Sequence, residues 1–250
     1  MIEQIIPTSL VDARLASAVV GAGFVHVPAP RVQALAGIDD EDWRVFAASW
    51  NDLGEDRYMA DGGRYRRRRH SCLCLTEDDL TLLAPRPHYQ SRDHNILNGG
   101  IERWFEPVAP PVLDSPLFKS LIALAAAFFP LGAKSHLIEV HQFRIEARVD
   151  LPGLPTPEGM HRDGVDFVLV MLVSRENVRE GVTQLEIDGT VRTSFTLSDP
   201  MEAVLLDDHR IKHEVTPIVA FDPSEAAHRD VLVVTFVAHC DLSSPVPPIK

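Results

Sequence analysis

The sequence predicts an α+β fold that is mainly β, with helices in the N-terminal part and a barrel or sandwich of antiparallel strands after them. Helical spacing of apolar residues occurs before about residue 130. Six short β-like runs, separated by turns, follow between about residues 137 and 240. No stretch of the 250 residues reads as a flexible interdomain linker, so we predict a single domain over residues 1–250.

The first predicted elements are a helix and a short strand. Ser9 can cap a helix over residues 10–22, in which apolar side chains recur on one face. A strand is predicted over residues 23–27. Pro28 and Pro30 are expected to end it, because proline lacks the N–H group that a sheet ladder needs.

A second helix is predicted over residues 39–51. Trp43, Phe46 and Trp50 recur there at helical spacing, so we expect them to pack together in the core. The other N-terminal segments are predicted as extended chain, irregular chain and an amphipathic helix, over residues 57–75, 85–111 and 115–130.

The second half alternates short apolar runs with turns, and this pattern carries the prediction of an antiparallel β core over about residues 137–240. The strands are expected at residues 137–146, 166–174, 182–187, 203–206, 214–220 and 230–239.

Charge and cysteine content narrow the classes of partner and compartment. The formal net charge of −12 disfavours binding to nucleic acid or to anionic membranes. No apolar stretch approaches the about 20 residues of a membrane span, and the N-terminus has no basic segment typical of a signal peptide. Cys72, Cys74 and Cys240 favour a cytoplasmic protein with reduced thiols over a Cys-x-Cys metal site.

A candidate metal site lies around residues 157–164. His161 and Asp163 are two positions apart, so on extended chain their side chains point to one side. His213 can supply a third ligand from another strand, although His209 competes with it. Two histidines and one carboxylate form the facial triad of non-haem iron(II) oxygenases, which leaves positions open for a cosubstrate and for O₂.

A candidate cosubstrate site lies on the last predicted strand. Arg229 precedes Val231, Val233 and Thr235 on the face that strand alternation gives them. A guanidinium can hold the distal carboxylate of 2-oxoglutarate through two hydrogen bonds, and we expect Thr235 to donate to the same carboxylate. The loop after residue 220 would let the strands of His213 and Arg229 form a hairpin.

The run PEGMHRDGVDF at residues 157–167 resembles the signature of bacterial 2-oxoglutarate dioxygenases, the family that includes L-isoleucine 4-hydroxylase. Four further segments resemble the same family, at residues 58–63, 141–144, 174–177 and 213–218. The similarity extends over most of the chain, from about residue 58 to residue 237. One departure is at residues 179–181, where the family pattern has a Gly-Gly turn.

The resemblance implies a double-stranded β-helix, which is the jelly-roll or cupin-like core, with N-terminal and flanking helices. It implies an enzyme that uses iron(II), 2-oxoglutarate and O₂, with ascorbate as the reductant in vitro. It further implies hydroxylation of a free aliphatic L-amino acid of the Ile, Leu, Val or Met type. His161, Asp163 and His213 match the family's metal ligands, and Arg229 matches its cosubstrate arginine by position.

Four residues are candidates to bind the substrate. Glu158 and Asp166 flank the metal motif and could hold an ammonium group, although both could equally be surface carboxylates. Arg67, from the arginine-rich run at residues 64–69, could hold a carboxylate. Arg144 could point into the barrel from the strand of His141.

Two alternatives to an amino acid hydroxylase stay open at this point. The first is a cupin-type metal protein without oxygenase activity. The second is an oxygenase that acts on another small molecule or on a macromolecule, with residues 64–69 as its docking surface. A small substrate is favoured because the chain is acidic. The sequence also leaves open whether the protein is a homodimer.

Overall fold

The computed structural model describes residues 13–77, 79–132, 134–148 and 151–240. Five α-helices and one 3₁₀ turn occur in these ranges. They are α1 (Ala13–Ala22), α2 (Ala29–Ala36), α3 (Asp40–Ala48), the 3₁₀ turn (Ser49–Asp52), α4 (Pro110–Leu113) and α5 (Pro116–Phe128). The predicted Ser9 cap lies outside the described residues.

Twelve strands are present in the same ranges. They are β1 (Phe24–Val27), β2 (Arg66–Thr76), β3 (Leu80–Leu82), β4 (Ser135–Ala147), β5 (Phe167–Glu176), β6 (Val178–Glu180), β7 (Thr183–Ile187), β8 (Val191–Phe195), β9 (Ala203–Asp207), β10 (Ile211–Val215), β11 (Ile218–Ala220) and β12 (Ala227–Ala238).

Local capping explains where the helices begin. The Asp39 carboxylate accepts the backbone N–H of Asp42 at 2.7 Å and thereby caps α3. Ser115 caps α5 in the same way, through the N–H of Phe118 at 3.1 Å. The sequence does not predict α2, because Pro28 and Pro30 indicate the end of a strand. Proline is also favoured in the first turn of a helix, and Pro30 occupies that position.

The strands form two facing layers. One layer is a seven-stranded sheet in the order β1-β9-β5-β12-β4-β2-β3. The other contains a three-stranded sheet, β10-β7-β8, and a two-stranded sheet, β11-β6. The pairs in each sheet are antiparallel, which confirms the predicted mainly β class. The N-terminal part is not only helical, because β1, β2 and β3 belong to the large sheet.

Side-chain alternation gives the large sheet two different faces. Leu232, Val234 and Phe236 of β12 pack on the helices, in a core that also contains the fully buried Trp50 and Phe118. Truncating a buried aromatic of this kind typically costs about 3–5 kcal/mol. This packing confirms that the tryptophan face of the second predicted helix is buried.

The odd-numbered residues of β12 point between the two layers. Val231 packs there against Leu172 and Leu197, and Val233 lies partly buried beside them. Arg229 and Thr235 have the same parity, so they too face the space between the layers. This face of the large sheet therefore forms one wall of the candidate site.

Strand pairing and helix length differ in how they bear on the sequence predictions. The strands of His213 and Arg229 do not form a hairpin, since β10 pairs with β7 and β12 pairs with β4 and β5. The helices within the described ranges are all too short or too polar to cross a membrane.

Candidate functional site

Three side chains meet at the edge of the small sheet. His161 and His213 form an isolated antiparallel bridge, with reciprocal backbone hydrogen bonds of 3.1 and 2.8 Å. The Nε2 atoms of His161 and His213 lie 3.6 and 3.7 Å from the two oxygens of Asp163. These atoms are close enough together to hold one metal ion at bonds of roughly 2.1 Å. The structure thus brings together the three residues that the sequence singled out.

Backbone contacts fix the orientation of the candidate ligands. The Nδ1–H of His161 donates to the carbonyl of Gly159 at 2.8 Å, which leaves its Nε2 lone pair directed at the site. Gly159 and Gly164, on either side of the pair, have φ angles of 77° and 81°. A side chain at Gly164 would also collide with the ring of His94, at 2.6 Å. Both glycines are therefore needed for this turn.

Asp208 is a functional residue that the sequence did not reveal. Its buried carboxylate accepts three backbone N–H groups, from Asp163 at 3.0 Å, Gly164 at 2.8 Å and Val165 at 3.1 Å. Burial and the nearby Asp163 charge raise the pKa of Asp208 to about 6. His209, the alternative third ligand, is directed away and lies 3.0 Å from Asp166.

The charge state of the three candidate ligands suits a cation. Burial alone would raise the pKa of Asp163, but hydrogen bonding to His161 and the adjacent imidazoles lowers it below the usual value. Burial alone would lower the pKa of His161, but Asp163 and Glu158 raise it to about 9. Burial and the charge of His161 lower the pKa of His213 to about 4. The anionic carboxylate of Asp163 therefore supplies negative charge to a cation held between these side chains.

The irregular segment at residues 85–111 contributes to the same site. Gln90 donates through Nε2 to the Asp163 carboxylate at 3.2 Å and accepts through Oε1 from Arg103 at 2.9 Å. His94 covers Gly164, as described above. Sequence reasoning predicted the irregular chain but gave no role to Gln90 or Arg103, because nothing in a lone glutamine or arginine marks it as a site residue.

Arg229 of β12 lies opposite Arg175 of β5. Both Nε and Nη2 of Arg229, and Nη1 of Arg175, are buried and have no hydrogen-bond partner among the described residues. Burial and the charge of Arg175 lower the pKa of Arg229 to about 10. Two adjacent cations with unused donors form a site for an anion, because like charges in register otherwise destabilise a sheet.

A turn of unusual backbone conformation supports this arginine pair. Arg175 donates to the carbonyl oxygen of Glu180. Glu180 and Gly181 have φ angles of 63° and 73°, which is the left-handed conformation that a Gly-Gly turn would adopt freely. Glu180 therefore adopts a backbone conformation that glycine would adopt more readily.

The expected partnership of Thr235 with Arg229 is wrong. The two residues are six positions apart on one continuous strand, and such a separation spans about 20 Å. They cannot contact the same carboxylate. Thr235 instead lies opposite Glu139 of β4, with its hydroxyl buried and unpartnered among the described residues.

The four candidate substrate residues separate into one that reaches the site and three that do not. A Glu158 oxygen lies 3.5 Å from Nε2 of His161, and the other oxygen is buried without a described partner. Asp166 binds the N–H of Ala238 and pairs with His209.

The strand register shows that Arg67 and Arg144, both predicted to bind substrate, do not face the candidate site. These two residues are cross-strand partners on the sheet face opposite to that of Arg229. Arg67 is 45% exposed and pairs with Glu146 at 2.6 Å, whereas Arg144 pairs with Asp230 at 2.7 Å. Alternation in the arginine run instead turns Arg66 and Arg68 toward the interior.

A second group of potential ligands lies on the inner face of the large sheet and consists of His70, His88, Glu139 and His141. The Oε2 atom of Glu139 is 2.7 Å from His88, 3.6 Å from His70 and 3.5 Å from His141. Arg68 lies 2.9 Å from Nδ1 of His141, and an arginine can only donate. The proton of a neutral His141 therefore sits on Nε2 and faces Glu139, so this group is a hydrogen-bond network in the described state.

Comparison with known proteins gives a consistent result. The profile of the family described as 2OG-Fe dioxygenase matches residues 47–235, which is most of the chain. L-isoleucine-4-hydroxylase from Bacillus thuringiensis is 27% identical over 194 residues, which cover 74% of this chain and 78% of that protein. The 3(1)-hydroxy-L-isoleucine 4-dioxygenase of Pantoea ananatis is 26% identical over 231 residues, with 86% and 91% covered.

Solved structures agree with these relatives. The crystal structure of a bsmA homologue from Methylobium petroleophilum PM1 is similar at a TM-score of 0.84 and 37% identity, with 90% of this chain and 92% of that chain covered. The crystal structure of IDO from Bacillus thuringiensis matches at a TM-score of 0.74 and 20% identity, with 90% and 94% covered. These neighbours confirm the expected jelly-roll core.

Proposed function

This chain belongs to the 2OG-Fe dioxygenase family, and from that premise we propose that it hydroxylates an unactivated C–H bond of a free aliphatic L-amino acid. The family uses iron(II) and 2-oxoglutarate, and the expected co-products are succinate and CO₂. Two relatives that cover most of the chain are named for reactions on isoleucine and hydroxyisoleucine, which supports a substrate of this class. The free thiols of Cys72, Cys74 and Cys240 support a cytoplasmic location.

The convergence of His161, Asp163 and His213 on one point carries the proposal. We propose that these three residues hold the iron through Nε2, a carboxylate oxygen and Nε2. Bound iron(II) with 2-oxoglutarate supplies the activation of dioxygen that C–H oxidation requires. Three protein ligands would leave coordination positions for a cosubstrate and dioxygen, which a closed four-ligand site would not.

We assign the distal carboxylate of 2-oxoglutarate to Arg229, with Arg175 beside it. The unused N–H groups of this pair fit a carboxylate, and burial strengthens each hydrogen bond to it. Val231 and Leu172 follow on the two neighbouring strands and offer an apolar surface for the methylene groups. The arginines thus orient the cosubstrate and balance its charge within the protein.

Glu158 is the residue that we assign to the substrate ammonium group. One of its oxygens lies 3.5 Å from His161, so an amino group held there would be next to the metal position. The other oxygen is buried without a described partner, and a buried carboxylate oxygen needs a donor. Glu158 therefore fixes which carbon of a short side chain approaches the reacting centre.

The two alternatives are less well supported. Membership of the dioxygenase family argues against a metal protein without oxygenase activity. A macromolecular substrate would need residues 64–69 as an exposed basic surface. Arg66 and Arg68 are buried, and Arg69 is bound to Asp52 at 2.9 Å, so the surface is reduced to Arg64 and Arg67.

A turnover assay tests the proposal. Succinate is measured with iron(II), 2-oxoglutarate, dioxygen and ascorbate, against a panel of free L-amino acids, with His161→Ala as the inactive control. We expect one of Ile, Leu, Val or Met to stimulate succinate formation and to gain one oxygen atom. Binding of 2-oxoglutarate without stimulation by any amino acid would contradict the proposed substrate class.

A further inference from the structure

Arg68 and Arg103 are two buried cations close to the candidate iron site. Arg68 is 4% exposed and Arg103 only 1%. Neither forms an ion pair with a described residue, although other arginines nearby do. The Nε–H of each is buried and has no acceptor in the described part of the chain. A buried guanidinium without a counter-ion is strongly unfavourable, so this pair favours the binding of an anion.

Both guanidinium groups are held in fixed orientations. Arg68 donates to His141 at 2.9 Å, and its guanidinium carbon lies 4.1 Å from the ring centre of Phe105 and 4.6 Å from that of Phe143. Arg103 donates to Gln90, which in turn donates to the Asp163 carboxylate. The free Nε edges are thus preorganised, which is how a carboxylate is bound with little loss of side-chain entropy.

The carboxylates around the two arginines do not neutralise them. Asp56 is engaged by Arg66 at 2.7 Å, and Glu139 is surrounded by the three histidines of the network described above. Glu158 is close enough to influence Arg103 electrostatically but makes no contact with it. Two cations and one carboxylate thus remain unpaired. A zwitterion with one carboxylate and one ammonium group complements this set.

We propose that Arg68 and Arg103 bind the α-carboxylate of the substrate amino acid while Glu158 binds its α-ammonium group. This inference rests on the proposed function and adds the residues that select a free amino acid. Burial and the charge of Arg66 lower the pKa of Arg103 to about 10, and a bound carboxylate would reverse that effect. Glu158 contacts His161 and Arg103 reaches Asp163 through Gln90, so both poles of the substrate lie next to the metal position.

Comparing an amino acid with its primary carboxamide tests this assignment. The amide keeps the ammonium group and the side chain but lacks the negative charge. We expect the wild-type enzyme to prefer the acid by about 100-fold in kcat/KM, which corresponds to roughly two charge-assisted hydrogen bonds. Arg103→Met and Arg68→Met should lower the acid-to-amide ratio of kcat/KM by a similar factor, because only the acid offers a carboxylate to the two guanidinium groups. Arg103→Lys should recover part of the loss.

Arg92→Met is the matched control, because Arg92 is exposed on the same irregular segment as Arg103. It should leave the preference for the acid unchanged. The affinity for 2-oxoglutarate is measured for every variant to show that the iron site is intact. An equal loss for acid and amide in Arg103→Met and Arg68→Met would overturn the assignment, since it would indicate a structural role only.

A binding measurement separates failure of this inference from failure of the proposed function. If no amino acid stimulates turnover, isovalerate is titrated calorimetrically into wild-type protein already saturated with 2-oxoglutarate. Saturable binding that Arg103→Met and Arg68→Met abolish would support a carboxylate site even then. No binding of isovalerate or of any panel amino acid would overturn the carboxylate site.

Discussion

The carboxylate of Asp208 accepts the backbone N–H of Asp163 at 3.0 Å, although 45 residues separate the two in the sequence. It accepts the next two N–H groups as well, so a single side chain determines the path of the loop that carries Asp163. The position of the candidate metal ligand is therefore set by a residue that would not touch the metal.

Replacing Asp208 should weaken metal binding without removing a ligand. Asp208→Ala leaves three N–H groups of the ligand loop without this acceptor, and we expect iron(II) affinity to fall by about 10–100-fold. The adjacent Asp207→Ala removes only a hydrogen bond to the N–H of His209 and serves as the control. Affinity is measured by anaerobic titration, with circular dichroism to confirm folding. Equal affinities in the two variants would contradict this role for Asp208.

Arg229→Met should impair cosubstrate binding more than substrate binding. Loss of the buried guanidinium removes roughly two charge-assisted hydrogen bonds, so the KM for 2-oxoglutarate should rise by about 100-fold. The control is Arg179→Met, because Arg179 lies nearby on the surface, against the ring of Phe221. Steady-state kinetics with each ligand varied in turn provide the measurement. A rise confined to the KM of the amino acid would show that Arg229 has another role.

Iron stoichiometry should be one ion per chain. His161→Ala should abolish iron binding, whereas His88→Ala should retain one equivalent, because the His88 network is held by Glu139 and the donor Arg68 without a metal. Metal content is measured by elemental analysis after reconstitution with excess iron(II). Two equivalents in the wild type, with one lost in His88→Ala, would mean that this network is a second metal site.

The buried ion pair between Asp56 and Arg66 should contribute more to stability than the exposed pair beside it. Asp56→Asn leaves the Arg66 charge buried and uncompensated, and we expect a loss of about 3 kcal/mol in the free energy of unfolding. Glu55→Gln disrupts only the exposed contact with Arg64 and should cost less than about 1 kcal/mol. Urea denaturation of both variants gives the comparison, and equal losses would refute it.

Low pH should remove the contribution that ionised Asp56 makes to the free energy of unfolding. Burial opposes ionisation of this carboxyl, but Arg66 and Arg68 lower its pKa below the usual value. The folded state therefore binds fewer protons than the unfolded state at this residue, so its stabilisation is fully present above the unfolded pKa of about 4. It should be lost as the pH falls below that value through the lowered folded pKa. Asp56→Asn should flatten this part of the stability profile.

Patterns along the sequence predicted the main elements because apolar periodicity reports burial directly. The segments that became α3, α5, β4, β5 and β12 all show it. The short strands β3, β6 and β8 are not predicted from the sequence, since three to five residues are too few for a periodic signal. Pro28 and Pro30 are compatible with the end of a strand and with the first turn of a helix. The sequence prediction favours the strand end, whereas the structure has the helix α2.

The sequence predicts site residues correctly where they are close together in the chain. It fails where the answer depends on which face of a strand is interior, or on how far apart two residues of one strand lie. The spacing of His161 and Asp163 was sufficient to place them together. Alternation in the arginine run defines two faces, but it does not tell which face is interior. The sequence prediction therefore selects Arg67 for substrate binding, whereas Arg68 is the residue that points inward. Thr235 lies on the same face of β12 as Arg229, but six residues of strand hold the two side chains too far apart to bind one carboxylate. Arg175 was overlooked, although it belongs to a segment that resembles the family.

Turnover under isotope-labelled dioxygen shows whether the protein transfers oxygen from O₂ to an amino acid. The protein is supplied with iron(II), 2-oxoglutarate and the amino acid that best stimulates succinate formation, and both products are analysed by mass spectrometry. We expect one labelled oxygen in succinate and one in the hydroxylated amino acid, with neither product formed by His161→Ala. Succinate formed without an oxygenated amino acid, or an unlabelled hydroxyl group, would contradict this expectation.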